Sequence, residues 1–101
     1  MLVMVTLTWP SESSVKVGKV TVKALSKEMP PYVKRHGFYV ATGINGMKAY
    51  ALYGLEDGHV DEGFVELMRR YSPYVGIKGW EFMVEPLLTT EDALSLVNLE
   101  I

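Results

Sequence analysis

The sequence predicts an α+β fold, and two features of the chain carry this prediction. The first is a hairpin signal, in which Asn45-Gly46 joins the apolar runs RHGFYVATGI and MKAYALYGL. Asn-Gly between apolar runs is typical of the tight turn that connects two antiparallel strands. The second feature is the alternation of strand-like and helix-like patterns, which gives the order β-α-β-β-α-β. This is the order of a ferredoxin-like βαββαβ sandwich with a four-stranded antiparallel sheet.

Size and composition predict a single domain over residues 1–101. The chain is 49% hydrophobic and 22% charged, as expected of an ordinary globular domain with one core. Its formal net charge of -2 gives no general attraction to nucleic acid or to an anionic membrane, so neither is an expected partner. The absence of cysteine rules out disulfides and fits a cytoplasmic location. The apolar start, MLVMVTLTWP, is too short for a signal peptide or a membrane span.

The first half of the chain predicts a strand followed by a helix. Leu2 to Thr8 is β-branched and apolar, which favours a strand buried on both faces. A helix follows, with its cap at Ser11 or Ser13 and its end at Met29, before two prolines. Four lysines, at positions 16, 19, 23 and 27, share one side of this helix. The opposite side is predicted to face the core, and it holds Gly18, Thr21, Val22, Leu25 and Met29.

The central hairpin predicts which side chains share a face. With Asn45 and Gly46 as the two loop residues, Ile44 pairs with Met47 and Thr42 pairs with Ala49. Both faces of the hairpin are then largely apolar, so each of them needs a cover.

The second half predicts a helix, a strand and a short final helix. Apolar residues at helical spacing from Val60 to Tyr71 form the helix, which ends before Ser72-Pro73. A strand over residues 78–88 follows, with Trp80, Phe82 and Val84 on one side and Glu81, Met83 and Glu85 on the other. A capping pattern at Thr89 and Thr90 begins a C-terminal helix, which is expected to dock on the domain. Right-handed crossovers place the first and third strands at the centre of the sheet.

A homodimer is predicted from the sheet face that the two main helices leave uncovered. This face should carry Tyr39, Ala41, Tyr50, Leu52 and Met83, and a monomer rarely exposes so large an apolar surface. A second copy, packed sheet to sheet by a two-fold axis, is the simplest cover. The alternative is that the C-terminal helix covers this face within one chain.

Four segments of the sequence resemble small uncharacterised proteins of the dimeric α+β barrel superfamily. This superfamily includes antibiotic-biosynthesis monooxygenase-like enzymes. The segments are MLVMVTLTWPSE, PPYVKRHGFYVATGINGMKAYALYGLEDG, RRYSPY and LLTTEDAL. The resemblance implies a homodimer with a cavity between each sheet and its own helices. It carries over no catalytic residue, because the family that the chain resembles is of unknown function. The wider superfamily includes cofactor-independent oxygenases, haem-degrading enzymes and proteins that only bind ligands, so the fold alone does not select an activity.

The candidate ligand-binding residues are His36, Tyr39, Tyr50 and Trp80. Aromatic side chains suit a flat hydrophobic ligand, and an imidazole titrates near neutral pH. The two histidines lack a third ligand at the spacing of a metal site, and no nucleophile, base and orienting partner come together. We therefore predict no catalytic residue, no metal and no cofactor.

These observations favour a homodimeric module that is structural or binds a ligand. One alternative is a cofactor-independent monooxygenase or isomerase that acts on a hydrophobic aromatic substrate. The other is a regulatory domain that binds a small metabolite. An enzyme of the first kind needs a pocket of about a few hundred Å³ beneath the sheet, so a filled core there would count against it.

Overall fold

The computed structural model describes residues 1–101 and contains a four-stranded sheet and three helices. The strands are β1 (Leu2–Trp9), β2 (Val33–Gly43), β3 (Gly46–Leu55) and β4 (Glu81–Leu87), and the helices are α1 (Ser14–Ser26), α2 (Val60–Tyr71) and α3 (Thr90–Ser95). Short 3₁₀ turns precede α1, over Ser11–Ser13, and follow α2, over Ser72–Tyr74. None of the helices has both the length and the apolarity that crossing a membrane requires.

The sheet has the strand order β2-β3-β1-β4, and all three pairings are antiparallel. The predicted α+β class and the predicted central position of the first and third strands are therefore confirmed.

One face of the sheet packs against α1 and α2 and forms the core. Val3, Val5 and Leu7 alternate along β1 and are fully buried on this face. They pack in one cluster with Ala49 and Ala51 of β3, and Leu67, Tyr71 and Tyr74 cover them from the other side. Because successive residues of a strand point to opposite faces, each of these strands presents its other half to the far side of the sheet.

The register of the hairpin differs from the prediction. Thr42 pairs with Met47, and the turn lies on Ile44 and Asn45, not on Asn45 and Gly46. A two-residue loop at Asn-Gly would need positive φ at both residues, but only Gly46 has it, at 114°. Each paired residue of β2 thus faces a residue of β3 that lies two positions from the predicted partner. Because two is the period of a strand, the side chains of these pairs keep their predicted faces.

The helix α1 is confirmed, but its contact face and its cap differ from the prediction. Val17 is buried, whereas Val22 is 70% exposed. The contact face is thus rotated by about 100°, or one residue, from the predicted one. The cap is absent as well, since the Ser13 hydroxyl donates to the carbonyl of Lys78 at 2.7 Å instead.

The short helix α3 begins as predicted but does not dock. The Thr89 hydroxyl accepts a hydrogen bond from the backbone N–H of Asp92 at 3.1 Å, which caps the helix. No residue of α3 is buried, however, and Leu96, Val97 and Ile101 beyond it are exposed. The C-terminal helix therefore does not cover the second face of the sheet, because six helical residues carry too little apolar surface to hold the segment there.

Candidate functional site

The candidate site is the side of the sheet opposite the helices, which we call the open face. The pairings align its residues in rows that run across β2, β3, β1 and β4. The two central rows are Tyr39, Tyr50, Thr6 and Met83, followed by Gly37, Leu52, Met4 and Glu85. The predicted membership of this face is confirmed for the hairpin and for β4.

Large apolar side chains on the open face are exposed. Tyr39 is 69% exposed and Met83 is 53% exposed, and Leu2, Tyr50 and Leu87 are exposed as well. Scattered apolar side chains are normal at a protein surface, but a contiguous patch of them marks an interaction surface.

Three of the four candidate ligand residues lie on the open face. Tyr39 and Tyr50 are direct partners across β2 and β3. His36 lies in a bulge of β2, between Arg35 and Gly37, and its ring covers Gly54, where a Cβ would meet the imidazole Nε2 at 2.7 Å. A shallow groove of about 220 Å³ runs beside His36.

The fourth candidate, Trp80, lies on the other side of the sheet. Its ring stacks between Tyr74 and Phe82, with ring centroids 5.0 Å apart in both cases. Trp80 has the same strand parity as Phe82, whose partner on β1 is the buried Leu7. The sheet therefore separates Trp80 from His36, Tyr39 and Tyr50, and the four residues do not line one pocket.

The space between the sheet and its helices is filled by tyrosines. The hydroxyls of Tyr53 and Tyr71 are 2.6 Å apart, and the Tyr74 hydroxyl lies 2.7 Å from that of Thr21. The cavity that remains beside them measures about 10 Å³, which is the space of a single water molecule. The cavity that the resemblance implies is therefore closed in this chain.

These tyrosines are held in the neutral state. Burial raises the pKa of Tyr53, Tyr71 and Tyr74, and the neighbouring Tyr53 raises the pKa of Tyr71 further. A phenol whose pKa is raised does not supply a phenolate base near neutral pH. No group of three His, Cys, Asp or Glu side chains is arranged to hold a metal ion.

A cleft of about 390 Å³ between α1 and α2 is a feature that the sequence analysis missed. Its charged lining residues are Lys23, Lys27, Glu28, Glu66, Arg69 and Arg70. The Arg70 guanidinium donates to the carbonyls of Ala24 at 2.7 Å and Glu28 at 3.2 Å, at the C-terminal end of α1. The lysine stripe and the Arg-Arg pair were visible in the sequence, but only the packing of the helices brings them together.

Comparisons with known proteins give no family. No protein-family model and no curated protein matches the chain. Among solved structures, the chain is similar to aminopeptidase PepT from Bacillus cereus, with a TM-score of 0.46 and 8% identity over 98% of this chain and 36% of the aminopeptidase. A DUF3240 family protein from Shewanella baltica gives a TM-score of 0.34 and 6% identity over 88% of this chain and 92% of that one. The chain thus spans about a third of the aminopeptidase, and similarities this weak carry no functional argument.

Proposed function

We propose that the chain is a homodimeric module that assembles through its open face, as in the dimeric α+β barrel proteins that it resembles, and that it is structural or binds a ligand. The observation that carries this proposal is the patch of exposed apolar side chains on the open face, centred on Tyr39, Tyr50 and Met83. The cytoplasmic location predicted from the absence of cysteine belongs to the same proposal.

The size of the open face supports the proposal. Four strands about 4.8 Å apart and seven residues at about 3.4 Å each span roughly 450 Å² in projection. If half of this area is apolar, two copies gain about 11 kcal/mol at about 25 cal/mol per Å². The cost of association is about 4 to 15 kcal/mol, so the gain from the face alone is of the same size as this cost, and further apolar area favours the dimer.

The C-terminal segment adds to the area available for the dimer. Leu96, Val97, Leu99 and Ile101 are exposed, and they follow β4, which is an edge strand of the sheet. An apolar segment of this kind, left uncovered in one chain, gains free energy by packing on a second copy.

The filled core argues for a non-catalytic module over a monooxygenase or isomerase. Tyr53, Tyr71 and Tyr74 occupy the space in which a hydrophobic aromatic substrate would have to bind. His36, Tyr39 and Tyr50 lie instead on the open face, and in the proposed dimer they line the space between the two sheets. A ligand of the module would therefore lie between the two copies.

The test of the proposed dimer is light scattering on a sizing column at micromolar concentration. We expect twice the 11.3 kDa of one chain. Thr6 lies at the centre of the open face, between Tyr50 and Met83, so Thr6→Arg should give a monomer by burying a charge. Thr42→Arg, at an exposed position on the other side of the sheet, is the matched control and should remain a dimer.

Two results would overturn the proposal. A wild-type protein of 11.3 kDa would exclude a homodimer, and a dimeric Thr6→Arg variant would place the interface elsewhere. Native mass spectrometry of protein from its own host would report, in one measurement, the stoichiometry and any ligand retained between the copies.

The small-metabolite alternative has one observation in its favour, which is the cleft between α1 and α2. Lys23 and Lys27 suit a small anion there, whereas Arg69 is paired with Glu66 and Arg70 donates to carbonyls of α1. Inorganic pyrophosphate is a suitable probe, and stabilisation against heat is the readout. Lys23→Gln/Lys27→Gln should abolish the stabilisation, whereas Lys16→Gln/Lys19→Gln, outside the cleft on the same helix, should retain it. If pyrophosphate does not stabilise the wild type, or if both variants respond equally, the cleft is not an anion site.

A further inference from the structure

The charged residues of the open face are sorted by sign across the sheet. The basic side chains, Lys34 and Lys48, lie on β2 and β3, whereas the acidic side chains, Glu81 and Glu85, lie on β4 at the opposite edge. All four are exposed. The side of the open face that β2 and β3 form is therefore its positive edge, and β4 is its negative edge. The apolar row of Tyr39, Tyr50 and Met83 runs across both.

None of these four charges forms an ion pair within the chain. The ion pairs of the protein involve other side chains, at the loops, at the helices and at the N-terminus. Lys48 and Glu81 share a row of the sheet, since both are paired to Thr8, but β1 lies between them and sets their backbones about 10 Å apart. Lys48 instead lies over the ring of Tyr50, at 5.4 Å.

Two sheets that pack face to face are related by a two-fold axis in the plane between them. The axis has two simple directions relative to the strands. If it runs parallel to them, β4 of each copy lies over β2 of the partner subunit, because the strand order is reversed across the interface. If it runs perpendicular to the strands, β2 lies over β2 and β4 lies over β4.

We propose that the two-fold axis of the homodimer runs parallel to the strands, so that the negative edge of each copy lies over the positive edge of the other. This inference rests on the proposed dimer through the open face. A perpendicular axis would place like charges together at both edges, and such pairs oppose association.

The parallel axis also matches the rows of the open face. It keeps each row over the same row of the partner, so that Lys48 of one copy lies over Thr8 of the partner subunit, one strand to the side of Glu81 of the partner subunit. It also places the Tyr39 ring over Met83 of the partner subunit, since Tyr39 and Met83 lie at opposite ends of one row. Sulfur and aromatic groups pack favourably with each other. Charge and apolar packing therefore select the same orientation.

Charge reversal at each edge tests the orientation. Glu81→Lys/Glu85→Lys makes both edges positive, and Lys34→Glu/Lys48→Glu makes both edges negative. For the parallel axis, each variant alone should self-associate at least about tenfold more weakly than the wild type, because like charges then face each other. A mixture of the two variants should recover the wild-type affinity as a heterodimer, which also shows that both variants are folded.

Sedimentation velocity at low and high salt is the measurement. Glu28→Lys/Asp61→Lys makes the same change in net charge as Glu81→Lys/Glu85→Lys, but away from the open face, and this control should associate as the wild type does. The difference between the edge variants and the control should shrink in about 1 M salt, where charges are screened within roughly 3 Å.

The outcomes separate this inference from the proposed function. If the wild type is a monomer, the proposed dimer fails and the orientation fails with it. If the wild type is a dimer and the edge variants self-associate as strongly as the wild type does, the dimer stands and the parallel axis is overturned. A perpendicular axis gives this second result, because its wild-type edges already bring like charges together.

Discussion

The two faces of the sheet are built from the same strands but have different covers. Along β1, Val3, Val5 and Leu7 are fully buried under the helices, whereas Leu2, on the open face, is exposed. The helices supply large side chains such as Leu67 and Tyr71 to one side only. The helices therefore cover one side of a strand that is apolar on both sides, and the other side remains available for a partner.

The two faces also differ in whether their polar groups have partners within the chain. On the covered side, the hydroxyls of Tyr53, Tyr71 and Tyr74 are buried and each has a hydrogen-bond partner. On the open face, the charged groups stand at the two edges without ion pairs. The buried tyrosine hydroxyls find their partners within the fold, whereas the exposed charges remain free to pair with a second molecule.

The largest effect is expected from truncation on the covered face. Leu7→Ala should lower the free energy of unfolding by about 2 to 5 kcal/mol, because Leu7 is fully buried and the truncation leaves a cavity. Met4→Ala, on the open face of the same strand, should cost clearly less in dilute solution. Urea denaturation at a concentration below dimerisation measures both, and equal losses would mean that the two faces are equally well packed.

The hairpin turn should give the second largest effect, because its register decides which side chains reach each face. Gly46→Ala should destabilise the fold by about 1 to 3 kcal/mol, since a strained backbone costs that much. Gly46 has φ of 114°, and a Cβ there would lie 2.7 Å from the carbonyl oxygen of Trp9. Asn45→Ala should cost little, because Asn45 has no positive φ. A large loss for Asn45→Ala in thermal unfolding would favour the turn predicted from the sequence.

A substitution on the open face should change assembly more than folding. Tyr50→Ala should raise the dissociation constant of the dimer about tenfold, because buried tyrosines at the centre of an interface carry much of its affinity. The free energy of unfolding of the dilute monomer should fall by much less than for Leu7→Ala, since the Tyr50 side chain is 36% exposed in one chain whereas Leu7 is fully buried. Sedimentation and urea denaturation separate the two quantities, and a large loss of monomer stability would show that the open face is already packed.

The last expected effect appears only at alkaline pH and comes from the covered face. Burial raises the pKa of Tyr53, Tyr71 and Tyr74 above the ordinary value of 10.0. Above pH 10 the unfolded chain therefore binds fewer protons than the folded chain, so the free energy of unfolding falls as the pH rises. The stabilisation that comes from keeping these three tyrosines protonated is fully present below pH 10 and is lost progressively as the pH rises above it.

Urea midpoints between about pH 8 and pH 11 measure this fall, which is at most about 1.4 kcal/mol per pH unit for each group. Tyr71→Phe should make the fall shallower, whereas Tyr39→Phe, on the open face, should leave it unchanged. An equal change in both variants would contradict the assignment of the fall to the buried cluster.

Much of the fold follows from local patterns in the sequence. The two-sided apolar run of β1, the hairpin and the helical spacing from Val60 to Tyr71 all predict elements that the structure contains. The membership of the open face was also predicted, because strand parity survives a shift of two positions in register. The patch that includes Tyr39 and Tyr50 was thus visible without coordinates.

The details that sequence reasoning missed depend on contacts between distant segments. The contact face of α1 is set by the segments that pack on it, such as Tyr74, whose hydroxyl lies 2.7 Å from that of Thr21. Trp80 was grouped with His36, although its ring lies in the stack with Tyr74 and Phe82. The prediction that α3 docks on the domain was wrong, because a capping pattern determines where a helix begins but not whether the helix packs on the sheet.

The sequence by itself determined the elements, their order and the sides of the strands, because these depend on periodicity and on turn chemistry within a few residues. Only the tertiary structure decided that tyrosines fill the space under the sheet, that α3 leaves the open face uncovered, and that the charges of that face lie at opposite edges. Each of these features depends on which distant segments lie next to each other in space, and a local sequence pattern does not determine this.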